Sequence, residues 1–249
     1  MEAFDQLDSI LWIGKKLMEY GADSANVEEA MYAYANGIGV EQMDALVLPR
    51  SVLVTIYLGD EYKTKMKHVG DLVPNLGKAS RIYKYAKNPD GKNFDEFKTE
   101  IDGTRTPYTK TAQFAVSLAC AAFGVILGTD FVGGIAIFVA SFVAFFIKSK
   151  LIHIEVSLIF VNIICAFVAT LLSYQLATRF GSVGVAEAQA ASTFFLIPGV
   201  QLINTFRDML KGHYLNGAAR GLRAMFLAFG IVFGTTLALL AQKGFIWNF

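Results

Sequence analysis

Residues 112–147 read AQFAVSLACAAFGVILGTDFVGGIAIFVASFVAFFI, and Asp130 is the single formal charge in the stretch. A soluble domain needs a charged surface to stay in water, and this run has none. A membrane-spanning helix needs roughly 17–25 predominantly apolar residues. Ala112–Gly128 and Phe131–Ile147 each meet that length, with Gly128-Thr129-Asp130 as a tight turn between them. Three further apolar segments follow: Ile154–Ala177, Ala186–Phe206 and Ala224–Ala241. The expected fold is an α-helical integral membrane protein, with about five transmembrane helices in residues 111–249. A mixed α/β cytoplasmic domain and linker is expected in residues 1–110.

Charge divides the chain at the same place. Residues 1–110 carry 14 Lys/Arg and 17 Asp/Glu, a formal charge of −3. Residues 111–249 carry 8 Lys/Arg and 4 Asp/Glu, a formal charge of +4. The first twenty residues hold four acids and no positive leader, so no cleavable signal peptide is expected and the N-terminus is placed in the cytoplasm. Five spans then leave Lys148, Lys150, Arg207, Lys211, Arg220 and Arg223 inside, and only Arg179 and Lys243 outside. That bias agrees with the positive-inside rule. It puts the C-terminus outside, with Phe245, Trp247 and Phe249 as an interfacial aromatic anchor in contact with lipid. A bacterial inner (plasma) membrane is the expected location.

The N-terminal region alternates its periodicities. Residues 2–20 show a helical repeat carried by Phe4, Leu7, Ile10, Leu11, Leu17 and Met18, and Gly21 ends it. Asp23 or Ser24 caps a second helix that runs to about Asn36. Ala45–Leu48, Val52–Leu58 and Tyr62–Val69 read as antiparallel strands, the last with one wet face. Asn75–Ala86 and Phe94–Ile101 read as helices joined by Asn88-Pro89-Asp90-Gly91. Asp102–Thr109 reads as the linker to the membrane.

The fourth apolar segment carries the chemistry. Pro198-Gly199 lies inside it, and proline removes a backbone donor while glycine loosens the chain. Gln201, Asn204, Asp208 and Lys211 then follow at i, i+3, i+7 and i+10, on one helical face. A polar half-helix thus begins just after the break, as in transporters that aim broken helices at anionic substrate groups. Pro198, Gly199, Gln201, Asn204 and Asp208 are the candidate substrate-binding residues. Asp208, Arg207, Lys211 and His213 are the candidates for gating or coupling. The alternative is a packing kink, with Asp208 in a structural ion pair with Arg207 and Lys211.

Small-residue faces recur elsewhere. They comprise Gln113, Ser117, Cys120, Gly124 and Gly128; Asn162, Ala166, Ala169 and Ser173; and Gly217, Gly221, Ala224, Ala228, Thr235 and Ala238. Such faces ordinarily mean close helix packing. The other reading is a pathway lining, with Asn162, Thr235 or Ser117 touching a solute. No phosphate loop, zinc spacing or nucleophile elbow is present, so neither an enzyme nor a cofactor or metal site is expected. The two cysteines lie in separate apolar segments, and no basic cluster points to nucleic acid.

Two stretches resemble the bacterial threonine/serine exporter family. One is Tyr20-Gly21-Ala22-Asp23-Ser24-Ala25-Asn26-Val27-Glu28-Glu29. The other runs from Leu196-Ile197-Pro198-Gly199-Val200-Gln201-Leu202-Ile203-Asn204 through Asp208 to Lys211-Gly212-His213. Gln201 stands where members often carry proline. Fused members continue into a second membrane half, so the resemblance implies the split type. In that type a small membrane subunit of about 130–170 residues, enough for four or five spans of roughly 20 residues, completes an exporter. The resemblance further implies an oligomeric secondary transporter exporting a dicarboxylate such as succinate, or threonine and serine. A membrane-anchored sensor or scaffold acting through the cytoplasmic domain is the alternative.

Overall fold

The amphipathic repeat at the N-terminus becomes helix α1, Glu2–Glu19, whose Leu7, Ile10, Leu11, Ile13 and Leu17 are at most 1% exposed. The structure is a computed structural model describing residues 2–59, 61–89, 93–103 and 110–246, with side chains between Asp5 and Gln242. It divides into two units. Unit 1 is Met1–Thr106 with Gly199–Arg223, and unit 2 is Pro107–Pro198 with Ala224–Phe249. Residues 199–223 lie within the stretch read above as the membrane half and group by packing with unit 1.

In unit 1, α2 (Ser24–Gly37) starts where the Asp23 carboxylate accepts the Asn26 amide at 3.2 Å. Strands β1 (Gln42–Leu48), β2 (Ser51–Leu58) and β3 (Glu61–His68) form an antiparallel sheet in that order. The Leu48–Ser51 register leaves Pro49-Arg50 as a two-residue turn. Val52, Val54 and Ile56 alternate onto the inner face and are fully buried with α1 and α2. Each such side chain contributes on the order of 1.5–3 kcal/mol by leaving water. β3 is inverted relative to simple hydropathy: Tyr62 and Met66 are 69% and 59% exposed, while Lys65 and Lys67 turn inward. Asp8 of α1 explains this, since both ammonium groups lie 2.7 Å from its carboxylate.

Helices α3 (Leu76–Lys87) and α4 (Phe94–Gly103) close the core, Asn75 capping α3 through the Lys78 amide at 3.1 Å. Tyr85 and Phe97 stack at 3.9 Å, with Trp12 set edge-on to Phe94 at 5.5 Å. Asp60, much of the Asn88–Gly91 loop and most of the Asp102–Thr109 linker lie outside the described residues. So do the side chains of Phe4 and Phe245 and all of Trp247 and Phe249.

In unit 2, α5 (Lys110–Ile126) and α6 (Phe131–His153) form a hairpin. Gly128 takes φ +111°, a conformation glycine permits, and Asp130 caps α6 by accepting the Gly133 amide at 2.8 Å. α7 spans Leu158–Arg179. α8 is short, Val185–Ser192, and a 3-10 turn follows at Phe194–Leu196. α10 spans Tyr214–Ile246 and contributes to both units, beginning ten residues before the expected fifth segment. The rest of the expected fourth span is α9, Gly199–Leu210, in unit 1. Ala186–Phe206 is therefore not one rod. Ile197 is extended (ψ 127°), and Pro198 has no amide hydrogen with which to continue a helix.

Among the described residues, α6, α7 and Tyr214–Gln242 of α10 are long and apolar enough to cross a membrane, and α5 is a shorter apolar helix. Their outward residues, such as Phe131, Phe160 and Phe229, are 61–79% exposed, a surface suited to hydrocarbon. The inner faces are small. Gly234 of α10 lies directly against the Ile163 carbonyl of α7, and a Cβ at Gly230 would sit 3.0 Å from the Ile159 carbonyl. Ala228, assigned by sequence to this face, is exposed instead. The buried stripe runs through Leu227, Gly230 and Gly234 because the helical repeat of 3.6 drifts from the spacing first read.

Candidate functional site

Helix α9 presents a polar face that is satisfied within unit 1. Asn204, 5% exposed, donates from Nδ2 to the Gly21 carbonyl at 2.8 Å. One turn on, Asp208 is fully buried. Its Oδ1 accepts the Ser24 amide at 2.8 Å, and its Oδ2 accepts the Ser24 hydroxyl at 3.2 Å. Arg220, on the first turns of α10, brings Nε to 3.3 Å from Oδ2 and donates from Nη1 to the Ala22 carbonyl at 3.0 Å. Asn216 donates to the Ser24 hydroxyl and to the Val47 carbonyl of β1.

A second layer surrounds Asp23, which is 1% exposed. Arg207 and Lys211 reach its two oxygens at 3.4 and 3.3 Å. The ion pair expected of Asp208 with Arg207 and Lys211 is thus corrected. Helical spacing puts Arg207 and Lys211 one and three residues from Asp208, yet both side chains extend to the acid that caps α2. Asp208 takes Arg220, twelve residues away across the Gly212 turn. His213 Nδ1 lies 3.7 Å from Glu28. Burial pushes the Glu28 carboxyl above the usual range, Asp208 adding to the rise and His213 opposing it.

Sequence reasoning missed Ser24, Asn216 and Arg220 as partners. Ser24 looked like a helix cap, and Arg220 like an inner-loop charge. A signal was nevertheless available: the network joins the stretch 20–29 to the stretch 196–213. Gly21 meets Asn204, Asp23 meets Arg207 and Lys211, Ser24 meets Asp208, and Glu28 meets His213. Beside this network lies a cavity of about 340 Å³, whose walls include Leu17, Gly21, Val200, Ile203 and Arg207.

The remaining candidates separate from this group. Pro198 closes unit 2 and Gly199 opens unit 1. Gln201 is half-buried, and its carbonyl accepts the Thr205 hydroxyl at 2.8 Å. In unit 2, Ser117 donates to the Gln113 carbonyl within α5, and Asn162 donates across to the Leu227 carbonyl of α10. Thr235 is half-buried on α10.

A family model described as "Putative threonine/serine exporter" matches residues 8–241. The chain belongs to the threonine/serine exporter family. Within that exporter family it is similar to the "Probable succinate transporter subunit YjjP" of Klebsiella aerogenes. The two are 28% identical over 229 residues, covering 90% of this chain and 88% of the relative. It is similar to the protein of the same name from Escherichia coli (strain K12), 28% identical over 236 residues, 91% and 90% of the two chains. Both relatives are named as subunits, and the family is one of transporters, not enzymes. No solved structure matches the chain significantly.

Proposed function

We propose that the chain is one subunit of a two-component secondary exporter that moves a small carboxylate-bearing metabolite out across the bacterial inner membrane. A succinate-like dicarboxylate is the favoured substrate, and threonine or serine the alternative. The observation that carries this reading is the interrupted segment at Ile197-Pro198-Gly199, in a chain of a transporter family whose relatives are named succinate transporter subunits. Backbone groups freed at the break are available to a solute. Pro198 and Gly199 shape the site, and Gln201 and Asn204 hydrogen-bond the solute. Asp208 couples occupancy to the N-terminal unit, with Arg207, Lys211 and His213 gating the approach. For Asn204 and Asp208 this requires exchange of the bonds described above, which suits groups that act when the protein changes state.

The proposed arrangement in the membrane is multi-pass, with about five spans, the N-terminus inside and the C-terminus outside. A small membrane subunit completes the exporter. The sensor or scaffold alternative is not favoured by membership of an exporter family. Cells expressing the chain with that neighbouring subunit provide the test. Gln201→Ala and Asn204→Ala lower succinate efflux at least several-fold with unchanged amounts of protein in the membrane. Efflux at the wild-type rate in both variants removes the assignment.

A further inference from the structure

Every cation of the polar network in unit 1 has a carboxylate partner: Arg207 and Lys211 have Asp23, and Arg220 has Asp208. Unit 2 holds a cation that differs. Lys148 lies on α6 between Ala144, Ile147 and Leu151, all members of the apolar cluster built with Cys165 of α7 and Leu196 of the 3-10 turn. Its side chain is half-buried, and Nζ stands 5.4 Å from the ring centroid of Phe195 in that turn. Among the described residues no carboxylate pairs with its ammonium. Of the three unit 2 acids, Asp130 is engaged by Ser182 and the Gly133 amide, Glu155 is exposed, and Glu187 lies in the first turn of α8.

Taking an ammonium from water into an apolar cluster is costly unless an opposite charge meets it, and a single aromatic ring offsets part of that cost. Lys150 supplies the contrast on the same helix. It is exposed, with Nζ 5.7 Å from the Phe146 ring, which is the arrangement of an ordinary charge near the end of a span. Lys148 instead faces the turn that precedes Pro198. Ionisable groups facing the interior of a membrane bundle mark solute or ion paths.

We propose that Lys148 receives a carboxylate of the transported solute, with Phe195 against the solute's apolar body. The inference rests on the exporter reading and adds a residue to it. An oxyanion could also come from a lipid phosphate, and the experiment separates the two sources. The complete chain and its partner subunit are reconstituted in vesicles of purely zwitterionic lipid and of mixed anionic lipid, and succinate efflux is measured against internal concentration. Lys148→Gln is expected to raise KM about tenfold or more in both vesicle types, as loss of a charge-assisted contact does. Lys148→Arg, which keeps the charge, retains KM within about threefold of wild type, and Lys150→Gln leaves it unchanged. An unaltered KM in Lys148→Gln overturns the inference while the exporter reading stands. Equal effects of Lys148→Gln and Lys150→Gln, or an effect confined to anionic vesicles, assign the lysine to lipid or general charge and also overturn it. Absence of efflux by the wild-type pair in either vesicle overturns the exporter reading itself and the inference with it.

Discussion

Asp208 is the residue on which the N-terminal unit's polar network turns. A fully buried carboxylate survives only when its oxygens are met, and here an amide, a hydroxyl and a guanidinium meet them. Removing the guanidinium leaves the buried carboxylate without a counter-charge, which costs about 3–5 kcal/mol. Arg220→Met should therefore lower the thermal midpoint of the purified protein sharply. The double variant Asp208→Asn/Arg220→Met should recover part of that loss, because no uncompensated charge remains and the new amide still accepts from Ser24. A double variant less stable than Arg220→Met alone contradicts this account. Asp8 gives a pH-dependent counterpart. Side-chain hydrogen bonds from Lys65 and Lys67 hold its carboxyl below the usual range. Its stabilisation is then present above the ordinary carboxylate value and is lost as pH falls through the lowered one. The group is 41% exposed, so solvent screening keeps the effect to about 0.2–1 kcal/mol. Asp8→Asn should lower the melting midpoint at pH 7, and the difference from wild type should shrink steadily below about pH 4.

Elements differ in how plainly the sequence announces them. α1, the cap of α2, the three strands and the α5–α6 hairpin follow from local signals: a 3.6 repeat, Asp23, apolar alternation and Gly128. The break at Pro198 was equally legible, since proline acts on its own turn. The destination of α9 was not. Its polar face was visible as a stripe, but the groups that satisfy it are about 180 residues earlier in the chain, and spacing carries no such information. β3 shows the same limit, because the inward turn of its lysines depends on Asp8 of a different element. The contact of α7 with α10 is a further case, where Gly230 and Gly234 matter through the backbone they approach. Gly234→Leu would drive a side chain into the Ile163 carbonyl. It should destabilise by about 1–3 kcal/mol, as overpacking of tight interfaces does. Ala228→Leu, an exposed position on the same helix, is the comparison in a thermal unfolding series in detergent.

At the scale of the molecule, the N-terminal unit is discontinuous: the chain leaves it, forms unit 2 as far as Pro198, returns for residues 199–223 and leaves again. Composition pointed to a membrane half in residues 111–249, because charge density and apolar run length are properties of long segments. It could not show that a segment within that half is bonded to the first thirty residues. The two stretches that resemble an exporter family are for the same reason a single structural feature, the acceptors and donors of one buried network. α9 starts directly after the break at Pro198 and carries Asp208 nine residues on. The most direct test is export of labelled succinate from sealed vesicles holding this chain and its small membrane partner together, each alone, or neither. The account predicts release above the protein-free rate only when both are present, and its loss when the pair carries Asp208→Ala in a correctly inserted chain. Release from the pair no faster than from empty vesicles, or full release by the partner alone, would contradict it.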